Sequence, residues 1–333
     1  CRVAACCPTR WNFCGRISRV PVRCTHASHS PADFVSPAGS RVYLIDASIY
    51  IFRAWFSVPD SLTSSAGEPI NAVQGFAGFL AGFLSEVRPD HVAVVFDESL
   101  TTSFRNDIYS AYKANREPAP PELKRQFEMC RLLVAVLGLA GYSSDRYEAD
   151  DLIGTLAEGL RPKGFSIEIL SADKDLAQLV EDNDVLWDYT GNRRHASADI
   201  PKLLGVRPGQ VADWLALSGD AVDNIPGVPG IGAKTAAALL AAFGSLDGLY
   251  ADLDAVSRCG IRGAARISRL LGEHEDTARL ARELTGIAVD AGLDVQVSDV
   301  KRRAAVPEEV EEVCEEIGLG RTTRTRLLKA VAV

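Results

Sequence analysis

The sequence of 333 residues is 47% hydrophobic, which is enough for a buried core divided between two domains. It contains no run of about 18 uncharged apolar residues, the length that a membrane-spanning helix needs, so no membrane role is predicted. The formal net charge of −8 at first argues against a nucleic-acid partner. Residues 1–40 hold five Arg and one Asp, however, so the acidic excess belongs to the rest of the chain.

The first 40 residues carry five of the eight cysteines, in no recognisable metal-ligand spacing. The other three, Cys130, Cys259 and Cys314, are scattered singly, which is typical of a reduced, cytoplasmic protein. The segment is rich in Arg and Ser and poor in acid, so it is either an organellar transit peptide or a remnant of translation or cloning. We expect residues 1–40 to be unstructured, and the protein to be cytoplasmic and bacterial, or organellar if the segment is a transit peptide.

Three short apolar runs follow, and each ends in an aspartate: 41–46, 91–97 and 166–173. Segments with a helical pattern, such as 71–87 and 122–139, separate them. Near-continuous apolar strands that alternate with helices indicate a parallel α/β sheet. In such a sheet, functional residues gather at the carboxyl ends of the strands.

After about residue 200 the pattern becomes helical. Residues 201–217 and 234–243 are predicted helices, joined by a Gly- and Pro-rich turn. We therefore predict an α/β domain at 41–198, a helical domain at 199–295 and a C-terminal helical extension at 296–333.

Nine acidic residues lie in five places: after the three strands, at the start of a helix, and in a Gly-Asp-Ala-Val-Asp turn. They are Asp46, Asp97, Glu148, Asp150, Asp151, Asp173, Asp175, Asp220 and Asp223. Each alone can be a helix cap or a solvated charge. Together, at the ends of buried strands, they would repel one another and lose hydration unless a cation joined them.

Oxygen-only ligands without a His or Cys cluster favour Mg²⁺ or Mn²⁺ over Zn²⁺. Two such ions are the standard arrangement for phosphodiester cleavage by an activated water, without a covalent nucleophile. The acidic set therefore predicts a two-metal phosphodiesterase site.

A basic and aromatic segment, 103–116, follows the second strand and is closed by a Pro-rich stretch. If it forms one helix, a single face carries Arg105, Tyr109, Tyr112, Lys113 and Arg116. Such a face can hold phosphates and stack an unpaired base. The alternative is a solvated amphipathic helix. The position after Asp97 favours the functional interpretation, with Lys113 at the scissile phosphate.

The glycine-rich turn at 227–235 is predicted to lead into the N-terminus of a helix, where free backbone N–H groups bind phosphate. It is not a Walker loop, because Ala233 separates Gly232 from Lys234, and it is not a dinucleotide fingerprint, because no strand precedes it. The alternative is a purely structural turn. The candidate DNA contacts are Gly227, Gly230, Gly232, Lys234 and Thr235.

These motifs, in this order, resemble the bacterial 5′-3′ exonuclease and flap endonuclease family, which includes the N-terminal nuclease domain of DNA polymerase I. The resemblance runs from residue 41 to the low 290s. It is carried by Leu-Ile-Asp46, Val-Val-Phe-Asp97, Ser-Phe-Arg105 through Tyr-Lys113, Tyr-Glu148-Ala-Asp150-Asp151, Ala-Asp173-Lys-Asp175, Gly-Asp220-Ala-Val-Asp223-Asn and Gly-Val-Pro-Gly-Ile-Gly-Ala-Lys-Thr. It implies a PIN-like nuclease domain, a helical arch at 102–126 around a 5′ single strand, and a helix-three-turn-helix module that grips duplex DNA.

The resemblance also implies roles for single residues. Lys113 and Arg105 correspond to the basic arch residues that act in catalysis, and the hairpin can bind a monovalent cation such as K⁺. One metal ion would be held by Asp46, Asp97, Glu148 and Asp150. The other would be held by Asp173, Asp175 and Asp223, with Asp151 and Asp220 supporting ligands or waters.

The implied function is a monomeric, structure-specific 5′-3′ exonuclease and 5′-flap endonuclease of DNA replication and repair. Its partner would be flapped, nicked or branched duplex DNA, and RNA primer 5′ ends are also compatible. The chain is either a free-standing nuclease, which we prefer because the sequence ends soon after the family domain, or the nuclease portion of a truncated DNA polymerase I. The rival interpretations are a PIN-type ribonuclease and a noncatalytic binder of DNA junctions.

Overall fold

The computed structural model describes residues 4–5, 40–98 and 102–332. Most of the segment expected to be unstructured, 1–40, therefore lies outside the described residues. Residues 4–5 correct that expectation in part, because they form a short strand at one edge of the sheet. No helix in the described part of the chain is both long and apolar enough to span a membrane.

A seven-stranded mixed sheet forms the centre of the N-terminal part. Its strands are β1 (Ala4–Ala5), β2 (Ser40–Asp46), β3 (Val92–Asp97), β4 (Ala140–Ser144), β5 (Phe165–Leu170), β6 (Val185–Asp188) and β7 (Arg193–Ala196). The order is β1-β4-β3-β2-β5-β6-β7, in which β1 and β7 are antiparallel edge strands and the other neighbours are parallel. The predicted parallel α/β core is confirmed.

Helices connect the strands and make up most of the chain after residue 197. They are α1 (Ala47–Ser57), α2 (Asn71–Val87), α3 (Phe104–Ile108), α4 (Pro121–Val136), α5 (Ala149–Leu160), α6 (Ile200–Leu204), α7 (Val211–Ser218), α8 (Ala233–Phe243), α9 (Leu246–Ala251), α10 (Leu253–Arg258), α11 (Ala264–Glu273), α12 (Glu275–Thr285), α13 (Val297–Val300), α14 (Pro307–Ile317) and α15 (Arg321–Val331).

The two faces of the sheet bury different cores, because successive side chains of a strand point to opposite sides. Val42 and Leu44 of β2 face α5, and this core continues without a break into α7, α8 and α12 of the helical part. Tyr43 and Ile45 face α1, α2 and α4, together with α14 and α15. The C-terminal helices therefore return to the α/β unit and complete one of its two layers.

The predicted single helix over 103–116 is wrong. Only α3 is helical, and the chain then forms turns in which Lys113 has a left-handed backbone with φ of 54°. An α-helix cannot include a residue with that backbone conformation. The preceding residue, Tyr112, is instead buried in the core that contains Val42 and Leu44. The implied helical arch at 102–126 is accordingly helical only in α3 and from Pro121 onward.

The predicted helix over 201–217 is also interrupted. Gly205, with φ of +83°, ends α6, and Pro208 then begins a short 3₁₀ turn that leads into α7. A left-handed glycine immediately after a helix is a common C-terminal cap, and the sequence contains it at the expected place.

Candidate active site

The carboxyl ends of the neighbouring strands β2 and β3 bring Asp46 and Asp97 together. Asp46 caps α1 by accepting a hydrogen bond from the Ile49 amide, and it accepts another from the Ser171 hydroxyl at 2.8 Å. Asp97 accepts a hydrogen bond from the Ala149 amide at 2.8 Å, which fixes the N-terminus of α5 against the end of β3. The first two strand ends and the α5 motif thus meet at one edge of the sheet.

The first turn of α5 supplies Asp150 to the same edge. Burial raises the pKa of Asp150 well above its ordinary value, and the nearby charges of Asp173, Asp46 and Asp97 raise it further. Burial, and then the charge of Asp97, raise the pKa of Asp46 to about 7. These shifts indicate that the carboxylates are close enough to repel one another.

The third carboxylate group follows β5. The Asp173 amide donates to the Ser171 hydroxyl, and the Asp175 amide donates to Asp173 Oδ1 at 2.9 Å, so a tight turn holds both acids. Burial, and then the charges of Asp173, Asp220 and Asp223, raise the pKa of Asp175 to about 7. The turn at 220–225 of the helical part therefore faces the sheet edge as well.

Three of the nine carboxylates are matched by cations. Arg105 forms a two-pronged pair with Asp151, at 2.7 and 2.8 Å. Lys113 Nζ lies 2.9 Å from Glu148 Oε1 and 3.6 Å from Asp223 Oδ2. Arg116 also contacts Asp223. Among the described residues, no Lys, Arg or His side chain lies within 4.0 Å of the carboxylates of the other six, Asp46, Asp97, Asp150, Asp173, Asp175 and Asp220.

The chemistry of these six side chains fits hard divalent cations, which prefer carboxylate oxygens. Burial and the charges of neighbouring carboxylates raise the pKa values of Asp46, Asp150 and Asp175, and a bound metal would relieve this repulsion. In the part of the chain that the structure describes, no three His, Cys, Asp or Glu side chains already converge on one point as a formed metal site.

The basic arm, residues 103–116, lies across the carboxylates rather than standing free. The Lys113 amide donates to the Asp223 carbonyl at 2.9 Å, and the Asn224 side chain donates to the Ala111 carbonyl at 2.7 Å. The Tyr112 hydroxyl donates to Glu148 Oε2 at 2.9 Å and lies 3.2 Å from Asp223 Oδ2. The arm thereby connects α5 to the 220–225 turn.

This arrangement corrects two expectations about the arm. Arg105 and Tyr112 were expected on an open, DNA-facing surface, but each is only 3% exposed. Arg105 is enclosed because its guanidinium satisfies Asp151 and two backbone carbonyls, and Tyr112 because its ring enters the core. Tyr109 is half-buried against that core, and Arg116 is exposed.

The glycine hairpin is placed as the sequence predicts, at the N-terminus of α8. The N-cap residue is Gly232, which has no side chain to cap the helix. Lys234 is exposed beside it, and Thr235 is half-buried. Gly230 has φ of +82°, and a Cβ on Gly227 would lie 2.3 Å from the Gly219 amide nitrogen. Glycine is thus required at both positions, by backbone conformation at one and by a close backbone contact at the other.

Sequence reasoning missed several polar residues that support the site. Ser171 holds both Asp46 and the 173–175 turn, and Asn115 and Asn224 attach the arm to the 220–225 turn. Ser171 could have been suspected, because it is a polar residue directly after a buried strand and two positions before an Asp. Asn115 carries no such signal, whereas Asn224 ends the Gly-Asp-Ala-Val-Asp-Asn motif, which pointed to the acids and gave the asparagine no role.

Comparison with known families agrees with this architecture. The model of the 5′-3′ exonuclease N-terminal resolvase-like domain matches residues 41–203, and that of the 5′-3′ exonuclease C-terminal SAM fold matches residues 206–308. The resemblance inferred from the motifs is confirmed: the chain belongs to the 5′-3′ exonuclease family.

Similar curated proteins include DNA polymerase I of Rhizobium leguminosarum, 39% identical over 266 residues, which are 78% of this chain and 26% of that protein. DNA polymerase I of Bacillus subtilis (strain 168) is 35% identical over 282 residues, 84% of this chain and 31% of that protein. The chain thus spans less than a third of the length of these two relatives.

Solved structures share the fold at low sequence identity. Bacteriophage T5 5′-exonuclease with bound zinc has a TM-score of 0.60 at 18% identity, covering 88% of this chain and 98% of that one. The catalytic core of Rad2 in complex with DNA substrate has a TM-score of 0.59 at 15% identity, covering 88% and 93%. These likenesses show that the PIN-like domain and the helical domain share one overall arrangement with those structures.

Proposed function

We propose that this chain is a divalent-metal-dependent 5′ nuclease that hydrolyses phosphodiester bonds in flapped, nicked or branched duplex DNA. The observation that carries the proposal is the set of six carboxylates without a cationic partner at the carboxyl edge of the sheet, among the described residues. Family membership supports it, as do the names of similar structures: T5 5′-exonuclease holds divalent metal ions, and Rad2 was solved with a DNA substrate.

The carboxylates divide into two groups that could hold Mg²⁺ or Mn²⁺. We assign Asp46, Asp97, Glu148 and Asp150 to one ion, and Asp173, Asp175 and Asp223 to the other. Two ions held there would supply activation of the attacking water and stabilisation of charge on the scissile phosphate and the leaving oxygen. Asp220 is assigned a supporting role. Asp151 is also assigned support rather than direct ligation, because both of its oxygens already accept hydrogen bonds.

The arm supplies the positive charge that the substrate needs. Lys113 lies among the carboxylates, where burial lowers its pKa but Glu148 and Asp223 outweigh that effect and raise it, so it stays protonated. A protonated amine at this point can bind the scissile phosphate and offset developing negative charge. Arg116, which is exposed at the edge of the arm, can contact a neighbouring phosphate.

The hairpin and α8 form the second contact with DNA. The uncapped N-terminus of α8 presents backbone N–H groups, and Lys234 adds a positive charge beside them. These groups suit the backbone of a duplex, and the carbonyls of the turn could hold a K⁺ ion. Contact at two separated places on a monomer would select a junction between single-stranded and duplex DNA.

The cellular role that follows is removal of 5′ ends during DNA replication and repair, including the RNA 5′ ends of primers. The identities of 39% and 35% to DNA polymerase I also favour a second possibility, that the chain is the nuclease portion of such a polymerase. A free-standing nuclease and the nuclease portion of a polymerase would use the same chemistry at this site.

One cleavage assay tests the proposal. The protein is mixed with a labelled 5′-flap duplex and, separately, with single-stranded RNA, each with Mg²⁺ and with EDTA, and product lengths are measured. We expect Mg²⁺-dependent products released from the flap junction. Preferential cleavage of the RNA would favour a PIN-type ribonuclease, and tight junction binding without products would favour a noncatalytic binder. Asp60→Asn serves as a control, because Asp60 is exposed and lies in a turn outside the arm and the carboxylate motifs.

A further inference from the structure

We propose that Arg105 is a positioning residue that joins the α5 carboxylate motif to residues 284–291 and so fixes the spacing between the two groups of metal-binding carboxylates. We call residues 284–291 the return segment, because the chain runs back from α12 to the α/β unit along it. The inference rests on the proposed function and adds to it the device that holds the site in shape.

Every nitrogen of the Arg105 guanidinium has a partner, although the side chain is 4% exposed. Nη1 and Nη2 donate to the two oxygens of Asp151, while Nε donates to the Leu284 carbonyl at 2.8 Å and Nη2 to the Gly286 carbonyl at 2.7 Å. Nη1 also lies 3.7 Å from Glu148 Oε2. Only a planar fork with donors on several sides can make all of these contacts, so lysine could not replace it.

Asp151 is saturated by the same network. Its Oδ1 accepts a hydrogen bond from the Ala288 amide at 2.8 Å, and its Oδ2 accepts one from the Glu148 amide at 3.1 Å. The Arg105–Asp151 pair therefore attaches the start of α5, from which Glu148 and Asp150 extend, to both ends of a short stretch of the return segment.

The return segment is fixed to the second carboxylate group as well. Gln178 lies in the 3₁₀ turn that begins at Asp175, and its side chain donates to the Thr285 carbonyl at 3.2 Å and accepts from the Ile287 amide at 3.0 Å. The Thr285 hydroxyl donates to the Ala212 carbonyl of α7, the helix that leads to Asp220. The return segment thus contacts the start of α5, the 3₁₀ turn that begins at Asp175, and α7, which leads to the 220–225 turn.

A purely stabilising role does not account for this arrangement. Burying a charged pair contributes little net stability, because the loss of hydration offsets the attraction between the charges. What such a pair does provide is a fixed geometry, and metal affinity depends on the orientation of ligands by the groups behind them. Carboxylates that repel one another need such an external frame to stay within reach of an ion.

The test compares Arg105→Lys, which keeps the charge but loses the fork, with Gln178→Ala, which frees the second anchor without changing any charge. Lys202→Ala is the control, because Lys202 forms an exposed pair with Asp199 outside the arm, the return segment and the carboxylate motifs. Mn²⁺ binding is measured without DNA, by calorimetry and by the electron paramagnetic resonance of free Mn²⁺. Flap cleavage is then titrated with Mn²⁺, and DNA affinity is measured in Ca²⁺.

We expect both variants to bind Mn²⁺ about 10- to 100-fold more weakly, with cleavage recovering substantially at saturating Mn²⁺ and DNA affinity unchanged within about twofold. The control should match the wild-type protein. Unchanged Mn²⁺ affinity in both variants would overturn the inference. This holds even if the variants lose thermal stability or DNA affinity. If Arg105→Lys does not fold, Gln178→Ala decides the question alone. A wild-type protein that binds no Mn²⁺ would refute the proposed function itself, whereas equal binding by wild type and variants would refute only this inference.

Discussion

The ammonium group of Lys113 lies between Glu148 and Asp223, 2.9 Å from an oxygen of the first and 3.6 Å from an oxygen of the second. Glu148 belongs to the α/β unit and Asp223 to the helical part, so one side chain links the two halves of the proposed site. Burial opposes ionisation of Glu148, but Lys113 and Arg105 hold its pKa below the ordinary value. The backbone of Lys113 is left-handed, a conformation that persists in a non-glycine residue only when surrounding contacts enforce it.

Replacing Lys113 should slow the chemical step more than it weakens DNA binding. We expect Lys113→Ala to reduce the single-turnover rate on a 5′-flap substrate by about 100-fold or more, since it removes a positive charge from the developing charge of the transition state. The dissociation constant for DNA should rise only a few-fold. Lys202→Ala, which removes an exposed Lys paired with Asp199, should behave as wild type. A proportional loss of rate and affinity would instead make Lys113 a binding residue.

The strand-end aspartates should separate catalysis from binding. We expect Asp97→Ala and Asp173→Ala each to abolish Mg²⁺-dependent cleavage, because under the proposed assignment each would remove an oxygen ligand from a different ion, while DNA binding should persist through the arm and the hairpin. Gel-shift titration beside the cleavage assay measures both properties. Full activity in Asp97→Ala would refute the metal assignment.

The crowded carboxylates predict an unusual dependence of stability on pH in the metal-free protein. The folded-state pKa of Asp46 is raised to about 7, above its value in an unfolded chain, so ionisation destabilises the fold. This destabilisation is absent at pH values below about 4 and grows as the pH rises towards 7. In EDTA, Asp46→Asn should therefore raise the melting temperature clearly more at pH 8 than at pH 4.5.

The opposite pH trend for Asp46→Asn, with its benefit confined to acid, would contradict that account. Asp60→Asn provides the control, since Asp60 is exposed and lies in a turn outside the arm and the carboxylate motifs. Added Mg²⁺ should stabilise the wild-type protein at pH 8 more than the Asp46→Asn variant, because a bound ion relieves the same repulsion.

The hairpin should contribute affinity without contributing to the rate of cleavage. Lys234 is exposed next to the N-terminus of α8, where it can contact a phosphate. Lys234→Ala should weaken duplex binding similarly for all sequences and reduce the slope of log K against log salt by about one. Binding measured at several salt concentrations gives this slope. An unchanged slope would mean that DNA does not reach this end of α8.

Much of the site follows from local sequence pattern. Apolar runs that end in Asp46 and Asp97 predict where two parallel strands stop, and parallel neighbours necessarily bring those ends to one edge. The first turn of α5 is likewise visible as acidic residues before an apolar stripe. Both features depend on residues close together in the chain.

The arm and its buried arginine depend on distant residues instead. The helix expected around Tyr112 is lost because contacts with the 220–225 turn outweigh local helix preference. From sequence alone, Arg105 was expected to contact DNA. Two of its actual partners are the backbone carbonyls of Leu284 and Gly286, and a backbone carbonyl is present in every residue type. Backbone acceptors far along the chain leave no pattern to read.

The last two helices, α14 and α15, pack against the N-terminal α/β unit, although the helical part separates them from it in the sequence. Leu327 of α15 is fully buried in the core that includes α2, and the backbones of Arg302 and Arg303 bond to Asp90 and Gly138. The helical part is thus an insertion, because the chain segments before and after it both belong to the α/β unit. A protease cut between residues 295 and 300 should leave two pieces that remain associated, and neither piece should fold alone.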